Sequence, residues 1–166
     1  HPDAKDFVAV DENGKPYSSL RFIQHLLWNL KVVNVFAWGE KCFAPFDGLI
    51  VDVENSCTDR ETLNLIRDVI VSLVLARGHN MNDRKFFLGN HVVLQSTTRI
   101  YALFAHLKKD SITVKEGSRV KAGELIAAIG NSGNTIQPHL HFQLMENNSP
   151  FTAVPLPFVF SSYERK

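Results

Sequence analysis

From Gly89 to Met145 the sequence alternates short runs of strand-forming residues with glycine-centred turns. Alternating apolar and polar residues are typical of half-buried strands, and glycine, asparagine and aspartate favour the turns between them. The runs predict strands at residues 91–96, 99–106, 125–129 and 139–145. Turns are predicted at 115–117, 121–123 and 131–134. This part of the chain is therefore expected to form a β-sheet.

The first half of the chain mixes strand and helix patterns. Further strands are predicted at 6–10, 32–38 and 49–53. Apolar residues at helical spacing predict inserted helices near 17–31 and 59–76, with Asp59 as the N-cap of the second, followed by a loop at 77–85. The proline-containing tail, 150–160, is expected to pack on the sheet as an extended segment.

Length and charge narrow the class of protein. The 166 residues favour one domain, 1–166. A net charge of +1 without a block of like charges gives no basis for nucleic-acid binding. Apolar runs fall well short of the ~20 residues that span a bilayer, and no signal-like segment is recognised at His1.

The two cysteines, Cys42 and Cys57, are either a disulfide or two separate thiols.

Among the seven histidines, three stand in a pattern that suits chemistry. His139 and His141 are two residues apart in a predicted strand, so both imidazoles point to the same face. His106 ends another predicted strand, and neutral imidazole is a good zinc ligand. Isolated histidines are more often core or surface residues, which is the expectation for His25, His79 and His91.

Five segments together resemble lysostaphin/LytM-type zinc metalloendopeptidases, which hydrolyse peptidoglycan. They are residues 43–48, 89–94, 101–107 with its Tyr…Ala-His-Leu pattern, 114–126, and 130–142 with its Pro-His-Leu-His-Phe signature. The resemblance implies a mainly β fold: a compact antiparallel β-sheet or barrel-sandwich domain (duplicated hybrid motif) with a central cleft, here with one or two inserted helices.

The resemblance also implies roles for the histidines. His141, the second histidine of the His-x-His pair, corresponds to a zinc ligand. His139 and His106 correspond to the residues that act on the zinc water and on the oxyanion. The family has two further ligands, a histidine and an aspartate four residues apart near the N-terminus.

The N-terminal ligand pair departs from the family pattern. The usual spacing leads to Asn29 and Val33, and valine cannot ligate a metal. Asp6 and His1, five residues apart, are the candidates further upstream, with residues 11–34 as an insertion. The predicted metal ligands are therefore His141, Asp6 and His1, with a histidine upstream of His1 as the alternative to His1.

The function predicted by the resemblance is zinc-dependent hydrolysis of peptide bonds in cell-wall cross-bridges or stem peptides, in the periplasm or outside the cell. The expected partner is a peptidoglycan peptide or another peptide. The alternative is a catalytically inactive LytM-like binding or regulatory domain. A biotinyl or lipoyl carrier is disfavoured because no lysine stands in a suitable hairpin, and a serine or cysteine hydrolase because no nucleophile motif is present.

Overall fold

The computed structural model of the chain describes residues 4–17, 29–78, 80 and 83–159, in which short strands predominate. In chain order the strands are β1 (Lys5–Phe7), β2 (Leu30–Lys31), β3 (Lys41–Phe43), β4 (Gly48–Glu54), β5 (Thr62–Leu63), β6 (Asn90–Ser96), β7 (Tyr101–Leu107), β8 (Arg119–Val120), β9 (Leu125–Ala128), β10 (Leu140–Met145) and β11 (Pro155–Leu156). The helices are α1 (Leu65–Gly78), α2 (Arg84–Leu88) and a 3-10 helix at Val32–Asn34.

One seven-stranded sheet organises these elements. Its order is β1-β10-β7-β6-β4-β8, and β11 also pairs with β10. The pairings in this sheet are antiparallel. Two-stranded ribbons, β2 with β5 and β3 with β9, lie outside it. The prediction of a mainly β, antiparallel fold with few helices is confirmed.

The central strands divide the apolar core into two parts. In β7, Phe104 belongs to the larger cluster and Leu103 to the smaller one on the opposite face. In β10, Phe142 packs edge-on against Phe104, with ring centroids 5.2 Å apart. Because side chains alternate along a strand, the residue before Phe142, His141, projects to the face of the smaller cluster.

The strands predicted from residue 89 onward are confirmed, with bounds that agree within two residues. The strand predicted at 49–53 lies within β4, and the one predicted at 6–10 is shorter and ends at Phe7. The tail is extended against the sheet from residue 154, as predicted, but residues 150–152 form a turn. Pro155–Leu156 pairs with the edge of β10, and Phe158 packs against Phe142 at 5.2 Å.

The strand predicted at 32–38 is wrong. The Val35 amide donates to the Val32 carbonyl at 2.9 Å, and the Trp38 amide donates to the Val35 carbonyl at 3.1 Å. These overlapping turns bury Val32 and Val35 and leave Val33 65% exposed. The apolar residues therefore follow the three-residue period of a 3-10 turn rather than the two-residue period of a strand.

The helix predicted at 59–76 begins later, at Leu65, and ends at Gly78. Asp59 is not its N-cap, because its carboxylate accepts hydrogen bonds from the amides of Lys109 and Asn131 at 2.8 and 2.6 Å. Asn64 caps the helix instead. Its side chain accepts from the Arg67 amide at 3.0 Å, while Asp68 accepts from the Asn64 amide at 2.9 Å.

The predicted loop at 77–85 is shorter than expected, because α1 extends into it and α2 begins at Arg84. Asp83 caps α2 by accepting from the Phe86 amide at 3.0 Å. The helix predicted near 17–31 falls largely on residues 18–28, outside the described residues; its last two positions form β2. No helix among the described residues has the length and apolarity needed to cross a membrane.

Both cysteines are free thiols in the structure, so the disulfide alternative is not realised. Cys42 is buried within the larger core, and burial raises the pKa of its thiol to about 12. Cys57 is half-buried, and its amide donates to the Asn90 side chain at 2.8 Å. Both thiols are therefore structural in character rather than activated.

Gly89 permits the closest approach between α2 and the loop that contains Ser132. Its φ is +63°, and a Cβ at this position would lie 2.4 Å from the Ser132 carbonyl carbon. Gly14 has a φ of +74° with open space around it. Gly14→Ala faces the positive-φ penalty of ~1–2 kcal/mol. Gly89 combines its positive φ with a ψ of −142°, a conformation that is essentially restricted to glycine and costs other residues ~1–3 kcal/mol, and Gly89→Ala should lose a further ~1–3 kcal/mol through overpacking.

Urea unfolding of Gly89→Ala and Gly14→Ala measures this difference directly. We expect Gly89→Ala to be the less stable of the two. Equal losses of the free energy of unfolding would show that the contact between Gly89 and Ser132 is loose enough to admit a methyl group.

Candidate metal centre

Asp6 and His141 lie directly opposite each other on the adjacent strands β1 and β10. The neighbouring Phe7 packs against Phe142 on the larger-core side, which turns Asp6 to the other face of the sheet. His141 Nδ1 lies 2.9 Å from Asp6 Oδ1. A carboxylate and an imidazole from residues 135 positions apart in the chain are thus joined at one edge of the sheet.

His139 lies on the same face, one residue before β10 begins. Its Nδ1 is 2.8 Å from the Gln137 carbonyl and 3.1 Å from the Thr135 hydroxyl. Because a carbonyl can only accept, Nδ1 carries the proton, and the lone pair is on Nε2. That Nε2 lies 3.7 Å from Asp6 Oδ1, and the His139 side chain is 12% exposed.

His106 reaches this face through a departure from regular strand geometry. Regular alternation would place it with Phe104 in the larger core, but its φ is +60°, and the pairing of β6 with β7 shifts register beside it. Its ring centroid lies 4.8 Å from that of His139 and 6.0 Å from that of His141. The left-handed backbone and the bulge therefore bring the third imidazole beside the other two.

The Ser132 carbonyl fixes the orientation of His106. It accepts a hydrogen bond from Nδ1 at 2.9 Å, which leaves the lone pair of the neutral ring on Nε2. The Ser132 hydroxyl donates to the Leu107 carbonyl at 2.8 Å and accepts from the backbone N–H of Asn90 at 2.9 Å. Ser132 and Asn90 were not singled out from the sequence, since their role depends on contacts between distant segments.

The electrostatics of the site keep Asp6 charged and His106 neutral. The hydrogen bond with His141 lowers the pKa of Asp6 below its usual range, although partial burial opposes the shift. Burial lowers the pKa of His106 to about 3, and the charge of His139 adds to this effect. At neutral pH the site thus combines an ionised carboxylate with an imidazole that has a free lone pair.

The donor atoms of Asp6, His139 and His141 all lie within 4.8 Å of one another. One carboxylate oxygen and two imidazole nitrogens are a donor set that suits zinc, which binds such atoms at ~2.0–2.2 Å. The structure therefore brings together Asp6, His106, His139 and His141 of the predicted site residues. His1, the remaining predicted ligand, lies outside the described residues.

The other residues considered in the sequence do not join this cluster. His91 is buried elsewhere, with Nδ1 2.9 Å from the Gly89 carbonyl and Nε2 3.5 Å from Asp52. His25 and His79 lie outside the described residues. Gln143 follows His141 by two residues in β10 but is only 2% exposed and does not line the cleft.

A cleft of about 390 Å³ opens in front of the histidines. Its polar lining comprises Asp6, His106, Asn134, Thr135, His139 and His141, and its apolar lining comprises Phe87, Leu88, Leu103, Ile136, Pro150 and Phe151. Polar donors thus converge on one side of a concave, otherwise apolar surface, as is typical of ligand sites.

Comparison with known proteins places this arrangement in context. Residues 70–153 match peptidase family M23, and this segment contains His106, His139 and His141 but not Asp6. The peptidoglycan DD-endopeptidase ShyA of Vibrio cholerae is 34% identical over 82 residues, which are 49% of this chain and 17% of that protein. The glycyl-glycine endopeptidase ALE-1 of Staphylococcus capitis is 42% identical over 77 residues, 45% of this chain and 21% of that protein.

The chain thus covers about a fifth of the length of these two relatives. Among solved structures, the catalytic domain of lysostaphin from Staphylococcus simulans is 25% identical, with a TM-score of 0.49 over 71% of this chain and 68% of that one.

Proposed function

Because the chain belongs to peptidase family M23, we propose that it is a zinc-dependent endopeptidase that hydrolyses peptide bonds of bacterial peptidoglycan. The bonds would lie in cross-bridges or stem peptides, and the protein would act in the cell envelope, in the periplasm or outside the cell. The observation that carries the proposal is the pairing of Asp6 with His141, with the His139 and His106 rings beside them.

Asp6 and His141 are the proposed ligands of the zinc ion, with His1 as the third. The donor chemistry fits this metal, since a catalytic zinc site combines imidazole and carboxylate ligands with an open coordination position. When bound, zinc supplies a Lewis acid and lowers the pKa of a coordinated water. The convergence of the Asp6 and His141 donors within one cleft supports this part of the proposal.

His139 and His106 are the proposed catalytic histidines. Both hold their proton on Nδ1 through a backbone carbonyl, so each neutral ring offers a lone pair on Nε2. The ring that accepts a proton becomes a donor at Nε2, and can then protonate the leaving amine or hydrogen-bond the oxyanion. Burial opposes a positive charge on the His106 ring, whereas the His139 side chain is 12% exposed.

The two walls of the cleft complete the proposed site. Asn134 and Thr135 line it beside the histidines, and the apolar side chains face them across the opening. Apolar walls reduce the water around the reacting groups, which strengthens the electrostatic contacts between them.

Release of soluble peptides from purified peptidoglycan tests the proposal. We expect release by protein that holds one equivalent of zinc, loss of release after treatment with 1,10-phenanthroline, and recovery when zinc is restored. Absence of release with zinc bound would contradict the proposal. Binding to peptidoglycan without release would favour the alternative, a non-catalytic LytM-like binding or regulatory domain.

A further inference from the structure

The cleft has an apolar wall that the chemistry of hydrolysis does not require. Phe87 and Phe151 contribute half-buried rings to it, in edge-to-face contact with centroids 5.8 Å apart. Ile136 contributes a side chain that is 39% exposed. Exposed aromatic and branched side chains beside convergent polar groups are typical of a surface that binds an apolar group of a ligand.

The wall rests on the smaller core of the protein. Leu88 and Leu103 are buried members of that core and also line the cleft. Phe151 packs against the same cluster through its partly buried ring. The apolar surface of the cleft is therefore continuous with a packed interior, which gives it a fixed shape rather than that of a loose surface patch.

Arg84 ties together the two segments that form the wall. One guanidinium nitrogen pairs with Asp52 of β4, and another donates to the Asn148 carbonyl at 3.2 Å. Arg84 is the first residue of α2, which contains Phe87, and Asn148 lies just before the turn that contains Phe151. This hydrogen-bonded bridge thus links the two segments that carry the aromatic rings.

A site for an anionic group would present lysine or arginine side chains, and the described lining of the cleft contains neither. Among the described residues that line the cleft, Asp6 is the only one of the Asp, Glu, Lys and Arg types. Asp6 belongs to the proposed metal centre, so the other described residues of the lining offer apolar surface and neutral amide and hydroxyl groups to the remainder of a substrate.

We propose that this wall, formed by Phe87, Ile136 and Phe151, is a specificity subsite for an apolar side chain next to the scissile peptide bond. The inference rests on the proposed peptidase function and deepens it. The preferred substrate has alanine or a larger apolar residue on one side of the cleaved bond, rather than glycine on both sides. An apolar side chain would gain burial against the two phenyl rings, whereas glycine would leave them in contact with water.

Two series of internally quenched peptides test this subsite. In the first series, glycine, alanine or leucine stands on the amino side of the scissile bond, and glycine stands on its carboxyl side. In the second series, the varied residue stands on the carboxyl side, and glycine stands on the amino side. In one of the two series we expect kcat/KM to rise from the glycine peptide through the alanine peptide to the leucine peptide. The kcat/KM of the leucine peptide should exceed that of the glycine peptide by a ratio of ~10–100, the range typical of apolar pockets. Both Phe87→Ala and Phe151→Ala should reduce that ratio severalfold, whereas Phe87→Leu should retain most of it.

Phe43→Ala is the matched control, since this phenylalanine is 50% exposed and does not line the cleft. It should leave the ratio unchanged. The ratio is insensitive to a loss of folded protein, because both substrates are cleaved by the same preparation. Cleavage with equal or greater kcat/KM for glycine in both series would overturn the subsite alone. Failure of the zinc-containing protein to cleave any of the peptides or peptidoglycan would overturn the proposed function together with it.

Discussion

The variant Asp6→Ala is expected to lose zinc binding and hydrolysis together, each by more than ~100-fold. Removal of an outer-shell partner alone typically costs 10–100-fold in metal affinity or activity, and removal of a ligand should cost more. Asp6 provides the carboxylate of the donor set, and its pKa is lowered by the hydrogen bond with His141, so it is ionised and available at neutral pH. Its side chain is 59% exposed, so the fold should tolerate its removal.

The matched control for this variant is Asp47→Ala. Asp47 is also an exposed, ionised aspartate, paired with Lys121 at 2.7 Å and located outside the cleft. We expect it to bind one equivalent of zinc and to retain activity. Metal analysis after dialysis against zinc-buffered solution and hydrolysis assays on the same samples provide the comparison. Stoichiometric zinc and full activity in Asp6→Ala would remove Asp6 from the proposed site.

The variant His106→Asn is expected to lower kcat by ~10²–10⁴-fold, the usual contribution of a positioned acid or base, while zinc remains bound. Asparagine tolerates the left-handed backbone that His106 adopts, with φ of +60°, and its amide can still donate to the Ser132 carbonyl. It has no ring nitrogen to exchange protons in the cleft. The variant therefore separates the chemistry of the imidazole from its structural contacts.

His91→Asn is the control for this second variant. His91 is equally a buried histidine that hydrogen-bonds a backbone carbonyl, but it lies outside the cleft. We expect it to retain kcat even if its thermal stability falls. A normal kcat in His106→Asn with intact zinc would show that this ring is not part of the catalytic machinery.

The resemblance and the strand pattern predicted four of the residues that converge in the cleft, for different reasons. His139 and His141 follow from the two-residue period of a strand, which is a local property of the sequence. Asp6 depends on the pairing of β1 with β10, which joins residues 135 positions apart and has no local signal. The family resemblance indicates Asp6, and the structure has it beside His141; its role as a ligand stays a prediction.

Other parts of the site were beyond sequence reasoning. Regular alternation along β7 would direct His106 into the larger core, and a positive φ reverses that direction. Histidine is enriched at positive φ among non-glycine residues, but most histidines do not adopt it, so the residue type alone does not predict the reversal. The cleft wall combines α2 with the turn after β10. Only the first two residues of α2, 84 and 85, lie in the segment predicted as a loop, and the helix itself has no counterpart among the predicted elements. Residue types at 32–38 predict a strand, but Val32 and Val35 are buried with the three-residue period of a 3-10 turn.

The location of bound zinc tests the central claim most directly. A crystal of the protein grown near pH 7 with one equivalent of zinc, measured on both sides of the zinc absorption edge, should give one strong anomalous peak. We expect that peak within ~2.0–2.2 Å of both a carboxylate oxygen of Asp6 and a ring nitrogen of His141. A zinc peak beyond bonding distance of Asp6, or one located outside the cleft, would contradict the claim that Asp6 and His141 hold the metal.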